Sequence, residues 1–268
     1  VSHWAAERLA PKSLSITPTP FTIAKGDTKA VLVWGTYPDG STRDASKLVT
    51  LTSDNPSVAT IDDFTVKAVA VGQAHIAAML TANHSIAVVL TVAVGPAVPR
   101  SLAIAPASPL LVVGKNLQLA ATVTYTDGTT LSTTSWSTWS SGNTAAATAS
   151  AKGSLRGVAV GIASISATYK DPRSPGIVTR STIATVLSGP PQVTGFTPTS
   201  GPVGTPVTIQ GADLLGDISV EFGGVSAQFT PNSSSSETAI VPAGARTGAI
   251  SITSSLGTAR SKNKFTVR

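Results

Sequence analysis

Apolar residues recur at every second position in short stretches of this chain, and glycine, proline, asparagine and aspartate bound those stretches. Val31, Val33 and Tyr37 fall at alternate positions, as do Leu117, Leu119, Ala121, Val123 and Tyr125, whose neighbours are polar or small. A period of two sends one set of side chains to a core and the other to water, which is the pattern of a half-buried strand. Asp39-Gly40 and Asp127-Gly128 interrupt such runs and predict hairpin turns, with glycine supplying the positive φ. No helical period appears. Short strands at intervals of about 8–12 residues predict sandwiches.

The chain repeats itself. Ser13-Leu14-Ser15-Ile16-Thr17-Pro18 returns as Ser101-Leu102-Ala103-Ile104-Ala105-Pro106, and Tyr37-Pro38-Asp39-Gly40-Ser41-Thr42 as Tyr125-Thr126-Asp127-Gly128-Thr129-Thr130. Ser53-Asp54-Asn55 returns as Ser141-Gly142-Asn143, so all three pairs share an offset of 88. Gly72-Gln73-Ala74-His75-Ile76 returns 89 positions on, and the closing strands match at 94. The added length is Asp171-Pro172-Arg173-Ser174-Pro175-Gly176, a turn-rich insertion.

These motifs, in this order, resemble the bacterial immunoglobulin-like group 2 family over residues 13–94 and 101–187. Leu51 stands where the second repeat has Trp139, the position that the family usually fills with tryptophan. The remainder carries Thr197-Pro198-Thr199-Ser200-Gly201-Pro202-Val203-Gly204, Val220-Glu221-Phe222-Gly223-Gly224-Val225 and Phe265-Thr266-Val267. It resembles the IPT/TIG immunoglobulin-like family. The expected chain is all-β: three tandem immunoglobulin-like β-sandwich domains in an elongated rod. The expected divisions are a tail at 1–12, group 2 domains at 13–95 and 100–188, and an IPT/TIG domain at 191–268. The joints Gly95-Pro96-Ala97-Val98-Pro99 and Ser188-Gly189-Pro190-Pro191 are proline-bearing and read as semi-rigid spacers.

Composition narrows the function. There is no cysteine, which points toward export and removes disulfides, thiol catalysis and thiolate metal ligands. The longest apolar stretch, Ile86 to Val94, is about half the length of a membrane-spanning helix. No signal-peptide pattern is visible at Val1, so the chain reads as a processed or trimmed product. The net charge of +6 lies mostly in residues 100–189, on isolated residues rather than on a basic run. The IPT/TIG segment carries five basic and four acidic residues, too few free cations for a phosphate footprint. Neither nucleic-acid binding nor direct membrane insertion is expected.

Catalysis needs convergent titratable groups, and none converge here. His3, His75 and His84 lack ligand-spaced partners. Asp39, Asp44, Asp54, Asp62 and Asp63 are dispersed turn residues without a calcium-loop string. The expectation is a non-enzyme without cofactor, metal or catalytic residues. Trp136 and Trp139 align with Leu48 and Leu51, which points to core packing; the alternative is stacking on sugar rings.

One stripe resists a free-standing rod. With Val31 and Val33 inward, Leu32 and Trp34 must point outward, where the second repeat has Ala120 and Thr122. Val89 and Ile183 add outward apolar residues on the closing strands. Leu32, Trp34 and Val89, with Trp4 and Leu9 of the tail, form the candidate assembly surface. The expected partners are copies of this chain or other surface proteins. The leading functional expectation is a structural or adhesive protein of a bacterial cell surface or extracellular assembly, self-associating as a filament subunit or serving as a stalk. The alternative is a glycan-binding accessory region of a larger secreted enzyme or adhesin, through Trp136 and Trp139; a phage virion decoration is the third reading.

Overall fold

The computed structural model describes residues 10–268. The first sandwich is built from β1 (Ser13–Thr17), β2 (Phe21–Ala24), β3 (Thr28–Ala30), β4 (Leu32–Thr36), β5 (Thr42–Asp44), β6 (Val49–Ser53), β7 (Ala59–Asp62), β8 (Thr65–Ala68), β9 (Gly72–Leu80) and β10 (Asn83–Gly95). The second has β11 (Pro99–Ala105), β12 (Leu110–Val112), β13 (Asn116–Gln118), β14 (Ala120–Tyr125), β15 (Thr130–Ser132), β16 (Thr138–Ser141), β17 (Ala147–Ala149), β18 (Ser154–Gly157), β19 (Gly161–Lys170) and β20 (Ile177–Leu187). The third has β21 (Gln192–Thr197), β22 (Ser200–Gly201), β23 (Pro206–Ala212), β24 (Asp217–Phe222), β25 (Val225–Ala227), β26 (Phe229–Ser233), β27 (Ser236–Ile240), β28 (Gly248–Ser254) and β29 (Gly257–Val267).

One device recurs in all three. The leading strand pairs antiparallel within one sheet, then the chain crosses and its next strand pairs parallel with the closing strand of the other. In the first sandwich β1 pairs with β4 and β2 with β10. In the second β11 lies beside β14, and β12 pairs parallel with β20. In the third β21 pairs with β23 and β22 with β29. The opening segment thereby ties both layers of each sandwich together. The sheets of the first sandwich run β1-β4-β5 and β2-β10-β9-β6, with a small β3-β8-β7 sheet beside them.

The alternation read from the sequence builds the cores. Val31, Val33, Ile76, Leu90 and Val92 are buried together in the first. Leu119, Val123, Leu155, Ile165 and Tyr169 are buried in the second. Val207, Ile209, Phe222, Ile252 and Phe265 fill the third, where the Phe222 and Phe265 rings meet edge to face at 5.2 Å. Burying one such side chain contributes about 1.5–3 kcal/mol, so these alternating strands are the main source of stability.

The repeated hairpins are built alike. Tyr37 and Tyr125 donate their amides to the carbonyls of Ser41 and Thr129, and Gly40 and Gly128 take φ of 82° and 81°. The aspartate before each glycine accepts from the amide two residues on.

The described residues form two compact units. The first holds the chain up to Ser101 with Val123–Leu131 and Lys170–Val178; the second holds Leu102–Thr122, Ser132–Tyr169 and Thr179–Arg268. Inside the first unit the Lys25-Gly26-Asp27 turn seats on the Tyr125–Thr129 hairpin. The Thr126 hydroxyl donates to the Lys25 carbonyl at 2.7 Å, and Lys25 Nζ lies 3.0 Å from Asp127 Oδ2.

Candidate functional site

β4 positions Leu32 and Trp34 on the outer face of the β1-β4-β5 sheet. Leu32 is 52% exposed and lies across from Thr17. Trp34 is half-buried between Ser15 and Asp44. Val89, 56% exposed, lies on β10 across from Ala77, in the β2-β10-β9-β6 sheet. Val33 on β4 and Leu90 on β10 meet in the same core. Their strand neighbours must therefore face away from one another, on opposite sides of the sandwich. The expected single surface is corrected on this point: Val89 does not join Leu32 and Trp34. Sequence alternation tells inward from outward, but not which sheet a strand joins.

Trp4 and Leu9 lie outside the described residues. The nearest described part of that segment serves the core. Pro11 is buried against the inward side of β4, where a Cβ on Gly35 would stand 2.7 Å from its ring. Lys12 donates its amide to the Thr36 carbonyl.

The two aligned tryptophans have different environments. Trp139 is 7% exposed on β16, and its indole N–H donates to the Thr134 carbonyl at 2.9 Å. It offers no face to a sugar, which corrects its place among the candidate glycan contacts. Trp136 is 65% exposed. Its counterpart Leu48 is also exposed, so this turn position does not point into the core in either repeat.

Cross-strand register reveals a surface that the linear sequence hides. Ser140, Ser166 and Ser181 form one row across β16, β19 and β20, and Thr138, Thr168 and Thr179 form the next. Neighbouring hydroxyls in these rows bond at 2.8 and 2.9 Å. In the third sandwich Thr197, Thr208, Thr238 and Thr230 form a row across four strands. In the second sandwich the Ser166–Ser181 and Thr168–Thr179 pairs satisfy one another across the strands, and in the third the Thr238 hydroxyl accepts from the Asn232 amide.

The acidic loops are held by local bonds. Asp39 accepts from the Ser41 amide and hydroxyl and from Arg43, and these bonds hold its carboxyl below the usual range. Asp44 accepts from the Ser46 amide. His75 lies on the exposed face, and its Nδ1 is 2.7 Å from Asp54 Oδ2. Asp54 also accepts the His75 amide, the main reason that its carboxyl titrates low. Among the described residues no group of three or more histidine, aspartate or glutamate side chains is gathered for a metal.

The profile of the bacterial Ig-like domain (group 2) matches residues 10–92 and 100–176. The chain belongs to the bacterial Ig-like domain (group 2) family. Its third part matches the IPT/TIG domain over residues 191–267. The order of the two group 2 domains and the IPT/TIG domain is the one that the motifs implied. A curated relative, Ice-binding protein 1 of Shewanella frigidimarina (strain NCIMB 400), is 30% identical over 168 residues, 62% of this chain. The match spans only 18% of that relative. Among solved structures, surface layer protein SbsC, domains 4-9, is 15% identical, with 97% of this chain and 48% of that chain covered at a TM-score of 0.32. An auxiliary nutrient binding protein from Bacteroides thetaiotaomicron VPI-5482 is 22% identical, with 30% of this chain and 21% of that chain covered at 0.27.

Proposed function

We propose that this group 2 Ig-like chain is a non-catalytic structural region of a bacterial extracellular or cell-surface protein, and that it works by self-association through the outer face of its first sandwich. The observation that carries this reading is Leu32, an exposed leucine on a strand whose repeat counterpart is Ala120. A free sheet face gains nothing from an exposed leucine beside a tryptophan, whereas an interface gains their burial. A chain without cysteine has no thiol to oxidise or cross-link outside the cell, which suits that placement. A relative named for binding ice would meet its ligand outside the cell, which favours the same placement. Regular filaments in micrographs of the purified chain, absent from Trp34→Ser, are the expected result. Filaments that persist in that variant would contradict the role of this face.

A second reading rests on Trp136 alone, whose broad exposed ring is suited to stacking on a sugar. It predicts binding on a glycan array that disappears in Trp136→Ala and persists in Trp34→Ser.

A further inference from the structure

Glu237 lies on β27 in one sheet of the third sandwich, and Asp217 opens β24 in the other. Glu237 shares its strand face with Ala239, a core residue, so its carboxyl points between the sheets. Its exposure is 0%. The two carboxyls face one another, and none of their four oxygens has a hydrogen-bond donor among the described residues. The next acidic group, Asp213, is already engaged. Its two oxygens accept the amide and hydroxyl of Ser188, each at 2.6 Å. It stands before the 3-10 turn Leu214–Gly216, and it adds negative charge near Asp217.

Two desolvated carboxyls without a donor need a positive charge between them, whether a proton or a metal ion. Burial, then repulsion from Asp217, pushes Glu237 up to about 8; burial, opposed in part by the contact with Glu237, pushes Asp217 up to about 6. We propose that Asp217 and Glu237 form a divalent-cation site of calcium type, in which up to four carboxylate oxygens clamp one ion and tie β24 to β27. The donors are oxygen only, which suits a hard cation rather than a transition metal. Backbone carbonyls or water complete the shell. The sequence conceals the pair because its members stand 20 residues apart on different sheets.

The test uses the full chain, stripped with chelator and titrated with calcium chloride at pH 8, by calorimetry and by thermal unfolding. Binding of one ion is expected, with a rise of about 10 °C in an unfolding transition when calcium is ~100-fold above its dissociation constant. Glu237→Gln removes both effects; Asp217→Asn serves if that variant does not fold. Binding also weakens at pH 5, where protons compete for the oxygens. No response to calcium at pH 8 would mean that the pair holds only a proton, and would overturn the proposal. Calcium binding that survives in the variants, or is unchanged between pH 5 and pH 8, would overturn it as well.

Discussion

Trp136 and Trp139 stand three positions apart and differ in everything that decides the cost of losing them. Trp139 is packed against the core, and its N–H is satisfied by Thr134. Truncation there leaves a cavity and an unpartnered carbonyl. Trp139→Ala is expected to destabilise the second sandwich by about 3–5 kcal/mol in urea unfolding. Trp136→Ala is expected to change stability by no more than ~0.5 kcal/mol. Equal losses would show that the two environments have been misassigned. Alignment with leucine was a partial guide. Leu51 contributes to the first core and Trp139 to the second, but Leu48 is itself exposed. A leucine marks a core position only where the strand period places it inward, and positions 48 and 136 lie in turns.

At the scale of elements, the hairpins and alternating strands were legible because their causes are local. The Asp39-Gly40 and Asp127-Gly128 turns carry the expected positive φ. Val31 and Val33 are buried, and Leu32 between them is exposed. The long-range pairings were not legible. Nothing along the chain tells that β4 and β10 sit in opposite sheets, and alternation alone therefore places Val89 with Leu32 and Trp34. The seat of the Lys25-Gly26-Asp27 turn was equally hidden. Gly26 takes φ of 90°, and a Cβ there would stand 2.4 Å from the Asp127 Cα and from the Thr126 carbonyl oxygen. Neither neighbour is a flexible side chain that can yield. Gly26→Ala is therefore expected to cost about 1–3 kcal/mol within the first unit. Chemical unfolding of the whole chain checks this, and an unchanged midpoint would show that the turn is not held against the hairpin. The Lys25–Asp127 pair beside it is partly exposed and contributes little by itself.

At the scale of the whole molecule, two sets of carboxyls give opposite pH dependences. Asp127 is held down to about 2, first by the Thr129 hydroxyl and then by Lys25. A lowered folded pKa contributes stability that is present above the unfolded value and is lost as pH falls from about 4 toward 2. Asp217 and Glu237 are raised, to about 6 and about 8. Their contribution is fully present below the unfolded value, near 4, and is lost as pH rises through 6 and 8 in chelated buffer. Thermal unfolding of the chelated chain is expected to show a stability maximum on the acid side of neutrality. Glu237→Gln should flatten the alkaline fall; an unaltered slope in that variant would contradict the assignment.

The group 2 Ig-like sandwiches supply buried cores, and the outer face at Leu32 and Trp34 is the proposed assembly surface. Sedimentation velocity on the purified chain across a wide range of concentration tests that claim directly. The account predicts species larger than a monomer that grow with concentration and are lost in Leu32→Ser. A chain that sediments as a monomer at every concentration, or a Leu32→Ser variant that associates like the unaltered protein, would contradict it.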